Sequence, residues 1–212
     1  MISDPQDDDG PIEESQDSGH RILLGLGNPG AEYVSTPHNV GFEALDLYAT
    51  RLQLQFELQP QLSSAIVEVP DSKIVLVKPT TFMNLSGVAL RKLWQHYGIE
   101  SAHQIMVLCD DFHLPLGGIR IREAGATGGH NGLASIEDAL GCSEYPRMRL
   151  GIGGPGDNSV KHVLSKFSST DKKIVDDLLI DASCAAEDWA AGKSIIDLQA
   201  QFNRRKPQAG AE

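Results

Sequence analysis

The stretch "RILLGLGNPG" (residues 21–30) ends the first well-formed apolar run of the chain in a glycine-rich turn. The run is typical of a buried strand, and Gly25, Gly27 and Gly30 fit the G-x-G-x-x-G pattern of a dinucleotide-binding loop. Such a loop needs a helix that begins inside the pattern and an acidic residue about 20 positions later, at the end of the next strand. Asn28 and the proline after it stand where that helix should begin. We therefore predict a sharp turn at a strand end that aims Asn28 outward.

Short apolar runs and helical patterns alternate along the rest of the chain. Strands are predicted at residues 20–26, 64–69, 73–78, 105–110, 117–123 and 147–153. The segment "PDS" between the second and third of these indicates a hairpin. Helices are predicted at residues 40–53, 85–97, 131–140, 170–191 and 194–202. This order predicts an α/β fold, a single domain in which a twisted mixed β-sheet is flanked by helices on both faces.

Negative charge is concentrated at the amino terminus. The chain has 212 residues and a formal net charge of −11, of which residues 1–19 carry −7 because they contain seven acidic residues and no Lys or Arg. The rest of the chain carries −4, a balance that does not exclude a nucleic-acid partner. Composition predicts a disordered acidic tail at 1–19, a folded domain at 20–204 and a disordered C-terminal tail at 205–212.

Apolar runs and cysteines indicate the compartment. No uninterrupted apolar stretch approaches the roughly 20 residues that a membrane span requires, and no basic-then-apolar signal segment opens the chain. The three cysteines are odd in number and widely spaced, without a C-x-x-C pair. We therefore expect a cytoplasmic protein with no membrane partner.

Polar side chains that can bind or transfer protons cluster in turns after the predicted strands. Strand-end loops on one edge of an α/β sheet are where sites are usually assembled. Four stretches share this property: "TPHNVGF" (36–42), "KPTTFMNLSG" (78–87), "CDDFHLPLG" (109–117) and "GATGGHNGL" (125–133).

The combination of motifs resembles the bacterial-type peptidyl-tRNA hydrolase family. The matching stretches are "GLGNPGAEY", "HNVGF", "KPTTFMNLSG", "DD" followed by "LPLG", "GGHNGL" and "RLGIGGPG", in the family's order and at about its spacings. The resemblance implies a single α/β domain that hydrolyses the ester between a peptide and the terminal ribose of tRNA. It implies that tRNA is recycled from peptidyl-tRNA released by stalled ribosomes, by a monomer that needs neither a metal nor another cofactor.

The resemblance assigns the general base to His38 and its orienting partner to Asp110. A histidine suits proton abstraction from water near neutral pH, and a carboxylate can fix its tautomer and stabilise the imidazolium. Taken alone, a histidine in a polar turn is more often a solvated or structural residue than a catalytic one, so His38 needs a partner to support this role. Asp110, at the end of the run "IMVLCD", could equally cap the turn that follows it.

Three asparagines are candidates for holding the substrate. By resemblance, Asn28 is a catalytic residue that distinguishes a blocked amino group from a free one, and Asn84 and Asn131 hold the peptidyl end. Taken alone, each could be a cap or turn residue. The remaining candidate substrate contacts are Tyr33, Phe82, Met83 and His130, although Phe82 and Met83 also fit a packing role.

Basic residues near the end of the predicted sheet are candidates for binding the tRNA backbone. Arg120 and Arg122 alternate on one strand, and Arg149 lies in the last strand. Guanidinium groups bind phosphate well, although exposed strand arginines often make ordinary surface ion pairs. By resemblance, Arg122 and Arg149 bind tRNA, and the patch could extend to Lys161, His162 and Lys166.

Two other function classes make different demands on the sequence. A non-catalytic RNA-binding relative would be expected to lack His38, Asp110 or one of the amides, and all of these are present. A metal hydrolase built on Asp110, Asp111 and His113 would need converging ligands, whereas neighbouring residues of a strand point to opposite sides.

Overall fold

A seven-stranded sheet runs through the part of the chain that the computed structural model describes, residues 19–154 and 159–203. Its strands are β1 (Arg21–Gly25), β2 (Glu57–Gln59), β3 (Ser64–Glu68), β4 (Ile74–Pro79), β5 (Ile105–Asp111), β6 (Ile119–Ala124) and β7 (Glu144–Gly151). The α-helices are α1 (Val40–Arg51), α2 (Ser86–His96), α3 (Asn131–Leu140), α4 (Ser159–Leu164), α5 (Lys172–Ala190) and α6 (Ile195–Phe202). The tails predicted at 1–19 and 205–212 lie outside the described residues, apart from Gly19.

The strand order is β2-β3-β4-β1-β5-β7-β6, with β4, β1, β5 and β7 parallel to one another. The pairs towards both edges of the sheet are antiparallel: β2 with β3 and β3 with β4 on one side, and β6 with β7 on the other. All seven residues of β5 are buried, as expected for a strand covered on both faces. Because β4, β1, β5 and β7 are parallel, their carboxyl ends all lie at the same end of the sheet.

Alternate residues of the central strands face two separate apolar cores. One core joins the sheet to α1, α5 and α6, and the other joins it to α2 and α3. In β1, for example, Leu23 belongs to the first core and Ile22 and Leu24 to the second. The predicted mixed sheet with helices on both faces is thus confirmed. Within the described residues, no helix is both long enough and apolar enough to cross a membrane.

The opening glycines allow close packing between β1 and α1. A Cβ atom on Gly25 would lie 2.5 Å from the carbonyl oxygen of Gly41, and one on Gly27 would lie 2.7 Å from the ring of Phe42. Of the three glycines in the pattern, Gly30 has a positive φ, at 123°. The glycines therefore let α1 pack closely against the end of β1. Unlike the helix of a dinucleotide-binding loop, α1 begins well after Gly30, at Val40.

Helices α2 and α3 are also in close contact, at Gly87. A Cβ atom on Gly87 would lie 2.1 Å from the carbonyl oxygen of Ser135, and the Gly87 N–H donates to Ser135 Oγ over 3.0 Å. A side chain at this position would force the two helices apart.

Most predicted elements are present, including the hairpin of β3 and β4. The sequence interpretation missed β2 and α4. β2 is a three-residue edge strand whose Leu58 is exposed, so it lacks an alternating apolar signal. α4 has six residues, too few to show a helical period. β7 begins at Glu144, before the predicted 147.

Candidate active site

A pocket of about 380 Å³ opens where the chain leaves β1, β4 and β5 and where α3 begins. It is lined by Asn28, His38, Phe82, Met83, Asn84, Asp110, Phe112, Gly129, His130, Asn131, Val163 and Leu164. The pocket therefore brings together all three predicted catalytic residues and five of the predicted substrate contacts. Tyr33, Arg122 and Arg149 are not part of its lining.

His38 is held in a single turn of 3₁₀ helix, Pro37–Asn39, that precedes α1. Pro37 occupies the first turn, where its missing N–H costs no hydrogen bond, and both neighbours of His38 are buried. Nδ1 of His38 lies 2.8 Å from Oδ1 of Asp110. Because a carboxylate can only accept, Nδ1 donates, and Nε2 keeps a lone pair that can take a proton. The ring is 15% exposed, at the pocket wall.

Asp110 is the penultimate residue of β5 and is 1% exposed. Burial would raise the pKa of its carboxyl, but the charge and hydrogen bonds of His130 and His38 more than offset this and hold the pKa well below its usual range. Asp110 is therefore ionised near neutral pH. It can orient the His38 ring and stabilise the imidazolium that forms when His38 takes up a proton.

His130 caps the amino terminus of α3 and also contacts Asp110. Its Nδ1 accepts from the backbone N–H groups of Gly132 and Leu133, at 3.1 and 3.2 Å. The nitrogen that accepts carries no hydrogen, so Nε2 carries it and donates to Asp110 Oδ1 over 3.0 Å. His130 is predicted as a substrate contact, and its capping role was not predicted because Ser, Thr, Asp and Asn are the usual capping residues.

Asn28 is buried and clamped, which corrects the expectation that it points outward. Its backbone N–H donates to Asn39 Oδ1 over 2.8 Å, and Asn39 Nδ2 returns a bond to the Asn28 carbonyl over 3.0 Å. Oδ1 of Asn28 accepts from the N–H of Met83 over 2.9 Å. The amide oxygen is thus engaged, and the group that Asn28 can offer to a bound molecule is its amide nitrogen. Asn39 was not predicted, although it directly follows His38 in "TPHNVGF".

The other predicted contacts differ in exposure. Asn84 and Asn131 are exposed at the pocket wall, whereas Met83 is buried in the core between the sheet and α2. Tyr33 lies outside the pocket, in a separate 3₁₀ turn, where its carbonyl accepts from the side chain of Thr36 over 2.7 Å. Its role stays a prediction.

A basic groove of about 400 Å³ lies on β6 and β7. Arg120 pairs in register with Arg149, and Arg122 with Arg147, and all four arginines belong to the lining of the groove. Within residues 19–154 and 159–203, Arg120 and Arg122 make no hydrogen bond or ion pair. Both predicted residues on β6 are therefore available to an anion.

The two arginines on β7 also hold the loop that leads to His130. Arg149 is largely buried, with Nη1 3.3 Å from Asp111 Oδ2 and Nη2 donating to the carbonyl of Ala126. Arg147 was not predicted and is fully buried. It donates to the carbonyls of Gly125 and Ser143. The sequence interpretation assigned Arg149 to tRNA alone, but its geometry also supports the loop.

Asp110 and Asp111 point to different sides, as the alternation along a strand predicted. Asp110 faces the two histidines, whereas Asp111 binds Arg149 and accepts from the N–H of His113 over 2.8 Å. These two carboxylates therefore cannot share a metal ion. His38, Asp110 and His130 place possible ligand atoms within 4.8 Å of one another. Asp110 Oδ1 and both nitrogens of His130 already take part in hydrogen bonds within the site.

Helix α4 contributes Val163 and Leu164 to the pocket wall. Nε2 of His162 lies 3.1 Å from the carbonyl oxygen of Gly153, so this ring fastens α4 to the segment after β7. Lys161 and Lys166 are exposed, in keeping with the predicted extension of the basic patch, whereas His162 turns inward.

Comparisons with known proteins give one consistent result. The family model described as peptidyl-tRNA hydrolase matches residues 22–210. A peptidyl-tRNA hydrolase of Syntrophomonas wolfei is 43% identical over 180 residues, covering 84% of this chain and 96% of the relative. One of Lacticaseibacillus casei is 41% identical over 185 residues, covering 86% and 100%. The crystal structure of peptidyl-tRNA hydrolase from Acinetobacter baumannii superposes with a TM-score of 0.81 at 29% identity, covering 90% of this chain and 98% of that one.

Proposed function

The chain belongs to the peptidyl-tRNA hydrolase family, and from this we propose that it releases peptides from tRNA with a water molecule activated by His38. The reaction is hydrolysis of the ester between a peptide, or an N-blocked amino acid, and the terminal ribose of tRNA. The observation that carries the proposal is the hydrogen bond of 2.8 Å between His38 Nδ1 and Asp110 Oδ1 in the wall of the pocket that Asn28, Asn84 and Asn131 also line.

In the proposed reaction, Nε2 of His38 takes a proton from water as the water oxygen attacks the ester carbonyl carbon. Asp110 keeps the ring oriented and stabilises the imidazolium. The bond between the carbonyl carbon and the ribose oxygen then breaks, and the proton held on His38 passes to that oxygen. The products are a peptide carboxylic acid and a free tRNA terminus.

Uncharged amides suit the negative charge that develops on the carbonyl oxygen. We assign the discrimination between blocked and free amino groups to the Asn28 amide nitrogen, the one group of that side chain not already engaged. Asn84 and Asn131 hold the peptidyl end from opposite elements, the turn after β4 and the start of α3. Amide donors stabilise an oxyanion without introducing a formal charge.

The basic groove is the proposed seat of the tRNA backbone, with Arg122 and Arg149 as phosphate ligands and Arg120 beside them. Lys161 and Lys166 would extend it, and Tyr33 would contact substrate at the edge. We further propose that residues 20–204 form the functional unit, acting as a monomer in the cytoplasm without a metal or cofactor.

The direct test is release of labelled N-acetyl-amino acid from N-acetyl-aminoacyl-tRNA, with unblocked aminoacyl-tRNA as the specificity control. We expect His38→Ala to lower turnover by about 10² to 10⁴-fold, the usual contribution of a general base. His103→Ala is the matched control, because His103 is exposed and lies in the turn before β5, at the opposite end of that strand from Asp110. Normal turnover by His38→Ala would overturn the mechanism, and loss of activity in chelator would overturn its independence from metal.

A further inference from the structure

Three exposed apolar side chains follow one another from the pocket along α2. Phe82 lines the pocket and is 55% exposed, Leu85 is 48% exposed and Val88 is 41% exposed. Residues 83–85 form a 3₁₀ turn that leads directly into α2. Phe82 directly precedes this turn, and its carbonyl accepts from the N–H of Leu85 over 2.8 Å, so Leu85 lies one turn after it. Val88 follows Leu85 by three positions at the start of α2, so the three follow one another as a row, about one turn apart. We call this row the apolar stripe.

The clustering of these residues distinguishes them from ordinary exposed apolar side chains. Single exposed apolar residues are common on protein surfaces and need no explanation. Among the described residues, eight large apolar side chains are this exposed, and three of them fall within the seven positions of the stripe. A fourth, Leu164, lines the same pocket from α4. Exposed apolar surface is therefore concentrated at the mouth of the pocket.

Sheet order places the apolar stripe and the basic groove on opposite sides of Asp110. At the end of the sheet where the parallel strands finish, the strands follow one another in the order β4, β1, β5, β7, β6. The stripe follows β4, Asp110 lies next to the last residue of β5, and the groove lies on β7 and β6. Adjacent strands are about 4.8 Å apart, so β4 lies roughly 10 Å from β5 on one side, whereas β7, where the groove begins, lies only about 5 Å from it on the other.

We infer that the apolar stripe is the subsite for the peptide part of the substrate and that it favours apolar side chains near the ester. This inference rests on the proposed function. A peptidyl-tRNA ester joins a polyanion to a peptide, so a nucleic acid held over β6 and β7 leaves the peptide to extend towards β4 and α2. Apolar side chains that cover the stripe are removed from water together with it, which stabilises the complex.

The length of the stripe sets which peptide residues it contacts. Leu85 lies about 6 Å beyond Phe82 at 2.0 Å per residue of 3₁₀ helix, and Val88 lies about 4.5 Å beyond Leu85 at 1.5 Å per residue. An extended peptide advances about 3.3 Å per residue. The stripe therefore spans three further residues, the second to fourth counted from the ester.

The test compares two tetrapeptidyl-tRNAs, N-acetyl-Leu-Leu-Leu-Gly-tRNA and N-acetyl-Gly-Gly-Gly-Gly-tRNA, with N-acetyl-Gly-tRNA as the short reference. The variant is Leu85→Gln combined with Val88→Thr, which keeps both side chains close to their original size. We expect the preference in kcat/KM for the leucine substrate over the glycine substrate to fall about tenfold, mainly through KM. Hydrolysis of N-acetyl-Gly-tRNA should change less than about twofold.

The matched control is Ile180→Gln combined with Ile196→Thr. These two side chains are 51% and 77% exposed and lie on α5 and α6, away from the pocket. The control should keep the wild-type preference. An unchanged preference in the stripe variant, or an equal fall in the control, would overturn the subsite. If the wild-type protein did not hydrolyse N-acetyl-Gly-tRNA, the proposed function itself would be overturned.

A second measurement does not depend on the variants folding. A photoreactive leucine at the second, third or fourth position of the peptide should cross-link His38→Ala protein at residues of the 3₁₀ turn and α2. Cross-links confined to α4 or to the basic groove would show that the peptide leaves the pocket in another direction, and the inference would be wrong.

Discussion

The two flanks of the pocket differ in how their side chains are held. On the basic flank, Arg147 and Arg149 are largely buried and bound to backbone carbonyls, so they support the loop before α3 while Arg120 and Arg122 remain available. On the apolar flank, the stripe consists of half-exposed side chains on a helix that packs tightly against α3. A phosphate needs donors in fixed positions, whereas peptides of varied sequence need a surface without directional bonds. The flanks should therefore respond to different halves of one substrate.

The largest effect should come from a change at the catalytic pair between the two flanks, because it should affect all substrates alike. We expect Asp110→Asn to lower kcat by about 10² to 10⁴-fold for every substrate, because an asparagine can no longer stabilise the imidazolium or fix its tautomer. Affinity for tRNA should stay unchanged. Single-turnover hydrolysis and equilibrium tRNA binding measure the two separately, with Asp138→Asn, an exposed residue of α3, as control. Loss of tRNA affinity in Asp110→Asn would contradict a purely central role.

His130→Ala should shift the pH range of the site. The pKa of the Asp110 carboxyl is lower in the folded protein than in the unfolded chain. The ionised carboxylate therefore stabilises the folded state fully above about pH 4, the pKa of an unperturbed aspartate. This stabilisation is lost as the pH falls through the folded-state pKa. Without the bonds from His130, burial raises that pKa, so the loss begins at a higher pH. Removal of the helix cap should itself lower the free energy of unfolding by about 1 kcal/mol at any pH.

Urea unfolding between pH 3 and 8 measures this shift. Ser194→Ala is the control, since Ser194 caps α6 without touching Asp110. The control should lose stability to a similar degree at all pH values. Parallel pH curves for the two variants would show that His130 does no more than cap its helix.

Arg122→Ala should weaken the basic flank alone. Loss of one phosphate contact should raise KM for full-length tRNA substrates several-fold and flatten the salt dependence of binding by about one unit of log Kd per log salt. A minimal ester without the tRNA body should be hydrolysed as before. Arg91→Ala, on the other flank, should leave the salt slope unchanged. Arg149→Ala should lower kcat as well, because it also frees the loop before His130.

The smallest effect should come from deletion of residues 1–18, which carry seven acidic side chains and no basic ones. Removing this charge should speed association with tRNA at low salt and make little difference near 1 M, where the Debye length is about 3 Å. Stopped-flow association across a salt series measures the effect. Faster association that persists at high salt would indicate a cause other than long-range electrostatics.

Local sequence patterns predicted most of the elements, although not β2 and α4. The family resemblance supplied eight of the residues that line the pocket, whereas Phe112, Val163 and Leu164 were not predicted. The apolar patterns of β1, β5 and α3 follow from their burial on one or both faces. Polar residues that follow parallel strands lie at the same end of the sheet. The direction of Asn28 and the hydrogen bond from His130 to a carboxylate depend on Met83 and Asp110, which are distant in the chain. No pattern within "GLGNPG" or "GGHNGL" records those partners.

The contact at Gly87 fixes the spacing between the apolar stripe and Asn131 before any substrate arrives. Little conformational entropy is then lost by the protein on binding, and the loss falls on the peptide. Glycine loses more backbone freedom than any other residue when it is held in one conformation. Glycine-rich peptides should thus be the poorest ligands for two separate reasons, since they also offer no apolar side chain. A preformed subsite of this kind favours stiff, β-branched peptides in which the entropy loss is smallest.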